Sequence, residues 1–165
     1  VGILARANVD IVFAAGNCGS NCPDDRCEGV VNHSITGANA TNSVLTVAGC
    51  DLSERRVGYS SQGPAIPGMY ANKPDIAAYA HFLGSEALGP GLPDKGTSAA
   101  CPVASGCVAA LRTNLAPRTT SPADLFEQFR RSAQQVGVGG WNRDYGFGII
   151  DPVKAASQLG LIPTG

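Results

Sequence analysis

The chain has 165 residues, enough for one ordinary domain with its own core. Apolar residues make up 44% and charged residues 15%, with 21 glycines and 11 prolines, which excludes a disordered chain and fits a loop-rich globular one. A formal net charge of −1, with only the short basic pairs Arg55-Arg56 and Arg130-Arg131, excludes a nucleic-acid surface, and no apolar run approaches the roughly 18 residues that span a bilayer.

Val1 to Asn8 reads as the tail of a helix, with no initiator methionine, signal peptide or polar lead-in, so the chain is expected to continue something longer. Residues 9–15 form a short apolar run ended by Gly16-Asn17, the pattern of a strand buried in a parallel sheet. A polar loop rich in Cys and Gly follows to about residue 42. Ser43 to Gly49 is a second buried strand, Val57 to Ser61 a candidate short third, and Ile76 to Tyr79 a further one. Residues 84–96 are a Gly/Pro loop.

Three helices are predicted after that loop. The first runs from about Ser98 to Arg112, with small apolar residues on nearly every side, which predicts burial in the centre of the fold. Pro102 is placed in its first turn, where the missing amide has no intrahelical partner. The second runs from the cap Ser121 to about Gln134, with Pro122 and Asp124 in its first turn and Leu125, Phe126 and Phe129 on one face. The third starts at Asp151-Pro152 and stops at Gly160. Buried strands alternating with helices predict an α/β fold, a mostly parallel sheet with helices on both faces. No repeat or linker divides residues 1–165.

Six cysteines are many for a cytosolic chain of this size. Cys18, Cys22 and Cys27 share one loop. They fit a disulfide-stapled loop of an exported protein, a zinc knuckle completed by His33, or unpaired thiols. Cys101 and Cys107 are six residues apart on one helix, about 9 Å of rise, and cannot pair with each other. Two sequons, Asn32-His33-Ser34 and Asn39-Ala40-Thr41, are acceptors only in a eukaryotic secretory protein.

The segment Gly96-Thr97-Ser98-Ala99-Ala100-Cys101-Pro102 places a serine where a glycine loop becomes a helix. There a hydroxyl is exposed, its own N–H points toward an attached acyl group, and the helix N-terminus favours a developing oxyanion. The same pattern also serves as an ordinary helix cap. The residues as written resemble the nucleophile motif of the subtilisin-like serine proteases, Gly-Thr-Ser-x-Ala-x-Pro-x-x-x-Gly, with Ser98 on the nucleophile position. Phe13-Ala14-Ala15-Gly16-Asn17 is similar to the family segment whose asparagine donates to the oxyanion. Ser60-Ser61-Gln62-Gly63-Pro64, Lys73-Pro74-Asp75-Ile76 and Tyr145-Gly146-Phe147-Gly148-Ile149-Ile150-Asp151 follow in the family's order. The departures are Ala78-Tyr79-Ala80 for Ala-Pro-Gly, Lys95 for a frequent Ser and Val103 for a frequent His.

The resemblance implies the C-terminal half of a subtilisin-like domain, in which Ser98 is the nucleophile and Asn17 with the Ser98 N–H forms the oxyanion hole. It further implies substrate contacts at Ala14, Ala15, Gly16, Gly96 and Thr97. The motifs of the triad aspartate and histidine do not occur in this sequence. His33 and His81 both follow Asn17, the wrong order for the base, and read as solvated, His81 near the substrate cleft. The expected partners are therefore a peptide or protein substrate and an N-terminal fragment of the same domain that brings Asp and His. Alone, the chain is expected to be inactive, because a serine without a base is a poor nucleophile. The alternative is an inactive half-domain retained for structure or binding. No cofactor is expected. Family habit allows calcium without assigning residues to it, and cysteine content with the family points to a secreted protein.

Overall fold

Strands whose residues are all apolar or small need cover on both sides, and this requirement organises the molecule. A computed structural model of the chain describes residues 1–163. Its sheet has three parallel strands in the order β1 (Val12–Ala14), β2 (Leu45–Cys50) and β3 (Ile76–Tyr79). Phe13 lies level with Thr46, and Val47 level with Ile76. Side-chain alternation sends Leu45, Val47, Ile76 and Ala78 to one face, and Ala48, Cys50 and Ala77 to the other.

The helices are α1 (Gly2–Arg6), α2 (Thr97–Arg112), α3 (Pro122–Ser132) and α4 (Pro152–Gln158). Helix α2 lies across all three strands. With α3 and α4 it closes the first face around Ala100, Ala104, Leu125, Phe126 and Phe129. Ile149, Val136 and Tyr145 close the second face. The α/β architecture is the expected one, and within the described residues α2, α3 and α4 gather on a single face.

Local chemistry sets the ends of these elements. Ser121 Oγ accepts from Asp124 N at 3.2 Å while the Asp124 carboxylate accepts from Ser121 N at 3.3 Å, a closed cap that starts α3 just ahead of Pro122. Asp151 caps α4 by accepting from Lys154 N at 2.8 Å. At the far end of α2, Arg112 binds the Asp10 carboxylate with Nε and Nη2 at 2.7 and 2.6 Å, tying that helix to the start of β1.

Four expectations change or resolve. Val57 to Ser61 is not a strand. Cys50 pairs with Arg56 in a single bridge, after which Ser60 Oγ accepts from Gly49 N and Ser61 N donates to Gly16 O. The segment's polar groups brace other loops in place of a ladder. Helix α2 is not enclosed either, since Ser98, Pro102, Gly106, Ala109 and Ala110 are exposed along one flank. Because α2 starts at Thr97, Pro102 falls in its second turn and removes the amide that would bond the Ser98 carbonyl. Among the cysteines, Cys18 and Cys27 form a disulfide with S–S 2.07 Å, and Cys22, Cys50, Cys101 and Cys107 are free. Two of the three thiolates a zinc knuckle would need are thus bonded to each other.

Candidate active site

The end of β1 and the start of α2 meet at one point. Ala15 N donates to Val47 O at 2.8 Å, and Asn39 Nδ2 donates to Ala14 O at 2.7 Å, so the strand end is held from both sides. Ala15 is buried against Ile35, Ala40 and Ala65, whereas Ala14 and Gly16 are half-buried. Gly16 turns the chain with φ +104°, and a Cβ there would stand 3.0 Å from Ser61 Oγ. Asn39 is thereby occupied within the fold and not presented as a sequon.

Thr97 is buried and links the two segments. Its N–H and Oγ1–H both donate to Asn17 Oδ1, at 2.9 and 3.0 Å, and its Oγ1 accepts from Gly16 N at 3.2 Å. Two donors on Oδ1 fix which end of the Asn17 amide is oxygen, and Nδ2 is left as the unmatched donor. At the start of α2, Thr97 N is held by Asn17 and Ala99 N bonds Gly96 O at 3.0 Å. The Ser98 N–H has no partner among the described residues, as first-turn amides lack one within a helix.

These two donors open onto one space. A Cβ built on Gly96 would lie 3.3 Å from Asn17 Nδ2 and 3.5 Å from Ser98 N. Glycine keeps that space clear, and its φ of +82° is one that few other residues adopt. The N-terminus of the 16-residue helix adds its positive field at the same place. Two unpartnered donors close to one point at a helix N-terminus can hold an oxyanion. Ser98 itself is exposed, and its hydroxyl has no hydrogen-bond partner among the described residues.

Beside Ser98 lies an open cavity of about 520 Å³, walled by Phe82, Leu88, Lys95, Ala99, Pro102 and Val103. Neither histidine contacts Ser98: His33 Nδ1 lies 3.0 Å from Ala65 O, and His81 Nε2 lies 2.9 Å from Tyr59 Oη. Tyr59 Oη also accepts from Gly96 N at 2.8 Å. Sequence reasoning missed Tyr59 and Asn39, since no local pattern announces a hydrogen bond across 37 or 25 residues. Behind the site, the fully buried Asp75 carboxylate receives Lys73, Arg130 and the Thr46 N–H. Burial pulls the Lys73 amine below its ordinary range, against the opposing pull of Asp75. Among the described residues no group of three or more His, Cys, Asp or Glu side chains could hold a metal ion, and no helix is long and apolar enough to cross a membrane.

Comparison with known proteins places this geometry in context. A family model described as the subtilase family matches residues 4–148. The self-cleaved protease domain of PatA superposes with a TM-score of 0.71 at 24% identity, over 96% of this chain and 53% of its own. The prenylagaramide maturation protease PagA gives 0.71 at 22% identity, over 99% and 54%. MycP1 from the ESX-1 type VII secretion system gives 0.68 at 26% identity, over 96% and 44%. The chain therefore spans about half the length of these solved structures. No curated protein matches it.

Proposed function

Since this chain belongs to the subtilase family, we propose that it is the nucleophile-bearing half of a serine endopeptidase domain. The observation that carries the reading is that Asn17 Nδ2 and Ser98 N, both without a partner among the described residues, lie 3.3 and 3.5 Å from the one point that Gly96 leaves clear. Ser98 Oγ attacks the scissile carbonyl, and its proton passes to a histidine imidazole. The carbonyl oxygen becomes the oxyanion held by the two donors, and collapse of the tetrahedral intermediate expels the amine, which takes the proton from the histidine.

The histidine and its aspartate come from a partner segment, the N-terminal part of the same domain. A base must come within about 2.6–3.2 Å of the hydroxyl, and the cavity beside Ser98 is an open approach. The small, exposed flank of α2 supports the same partner, because glycine and alanine allow close helix packing. Export from the cytosol is part of the proposal, supported by the Cys18–Cys27 disulfide. A second reading, an inert half-domain, draws on the unpartnered Ser98 hydroxyl. Fluorophosphonate labelling of the native protein, with the N-terminal part of the domain present, separates the two. A phosphonyl adduct on Ser98 is the expected result, and a folded sample holding both parts without one overturns the protease reading.

A further inference from the structure

The nucleophile turn is held on two sides. Thr97 is fixed by Asn17, as described above. The other side is Gly96, whose N–H is donated to Tyr59 Oη at 2.8 Å. Tyr59 belongs to a tightly bonded segment. Its carbonyl accepts from Gly19 N at 2.7 Å, Ser61 N donates to Gly16 O at 2.9 Å, and Ser61 Oγ accepts from Cys18 N at 3.0 Å. Gly16, Cys18 and Gly19 flank Asn17, so the same three-residue stretch, Tyr59 to Ser61, that braces one oxyanion donor reaches across to brace the other.

We infer that Tyr59 is a positioning residue for the nucleophile turn, with His81 as its support; this rests on Ser98 being the nucleophile. Tyr59 Oη has a single proton. Besides accepting from Gly96, it lies 2.9 Å from His81 Nε2, a pair in which either partner can donate, so the imidazole holds the phenol in place in either tautomer. Burial favours the neutral phenol. His81 is in turn anchored, its N–H donating to Asp94 O at 2.8 Å two residues ahead of Gly96. The tyrosine touches no reacting atom. It acts by keeping Gly96 and the Ser98 amide in register with Asn17.

The test is Tyr59→Phe in the native protein, read by NMR hydrogen exchange at the Gly96 amide and by the rate of Ser98 phosphonylation at saturating and limiting probe. Exchange at Gly96 should quicken about three- to tenfold, the scale of one lost hydrogen bond. The maximal labelling rate should fall with probe affinity unchanged, a split that general destabilisation does not produce. His81→Ala should move both readouts the same way by less. Unchanged Gly96 exchange in Tyr59→Phe overturns the inference. If wild-type Ser98 never reacts, the protease reading fails instead, and the exchange data still decide whether Tyr59 holds the turn.

Discussion

Helix α2 has two flanks made of similarly small residues, and they meet opposite surroundings. The inner flank, Ala100, Ala104 and Val108, is buried against the sheet. The outer flank, Ser98, Pro102, Gly106 and Ala109, is exposed, and its first two residues border the cavity beside the proposed nucleophile. Small side chains on the inner side let the helix lie close on the strands. The same residue choice on the outer side has nothing to lie against within the described residues. The bonds that hold the turn at Ser98, Asn17–Thr97 and Tyr59–Gly96, are already made, and so is the Arg112–Asp10 pair at the other end of the helix. On the proposed reading, the groups that activate Ser98 arrive from the outer side.

If the inner side is a finished frame, its buried charges should be the most sensitive part of the chain. Asp75→Ala leaves Lys73 and Arg130 without their shared carboxylate, and should cost about 3–5 kcal/mol in urea unfolding. A loss below about 1 kcal/mol would mean that the network is not part of the frame. Cys50 tests the same side chemically. Burial, with smaller contributions from Asp51 and Glu54, pushes its thiol up to about 12 from an ordinary 9.0. Alkylation of the native protein at pH 8 should spare Cys50 and modify the exposed Cys22. A thiol raised in the folded state favours folding fully below pH 9, and that contribution fades as pH climbs toward about 12. The Cys50→Ser variant should therefore lose stability less steeply across that range.

The site depends on the frame without adding much to its stability. Asn17→Ala should slow phosphonylation of Ser98 by about 10²–10³, a magnitude known for an oxyanion-hole asparagine in a subtilisin and carried over here. Its effect on unfolding should stay near 1–2 kcal/mol, from the two Thr97 donors left without Oδ1. Gly96→Ala should match the loss of reactivity, because the new methyl lies between the two donors.

Much of this frame was legible in the sequence, and the limits have physical causes. Strand β3 and the stretch Gly96 to Ser98 were readable because local pattern and family motif coincide there. So was the end of β1, although that strand is shorter than residues 9–15 because its backbone pairs only with β2 over three residues. Val57 to Ser61 misled because its buried residues mimic a strand, while its hydrogen bonds go to Gly49, Gly16 and Cys18. Alanine and glycine content gave the size of the α2 surface and not its exposure, since close packing is needed equally by a flank that has a partner and by one that awaits it. Tyr59 was out of reach, and His81 was read only as solvated near the cleft, because the bonds from Tyr59 to Gly96 and His81 join distant segments.

One substitution made twice separates the two flanks most directly. Ala104 is fully buried in the main core, so Ala104→Leu overpacks it and should cost about 1–3 kcal/mol. Ala109 is exposed, and Ala109→Leu should change unfolding of this chain by less than about 0.5 kcal/mol. The smaller effect is the more informative. If the outer flank receives the segment that brings the histidine, a leucine at 109 should leave the fold intact yet prevent Ser98 from being labelled. Unimpaired labelling in that variant would place the partner elsewhere on the chain. A large loss of stability from Ala109→Leu alone would show the two flanks to be equally packed, and the distinction between frame and opening would fall.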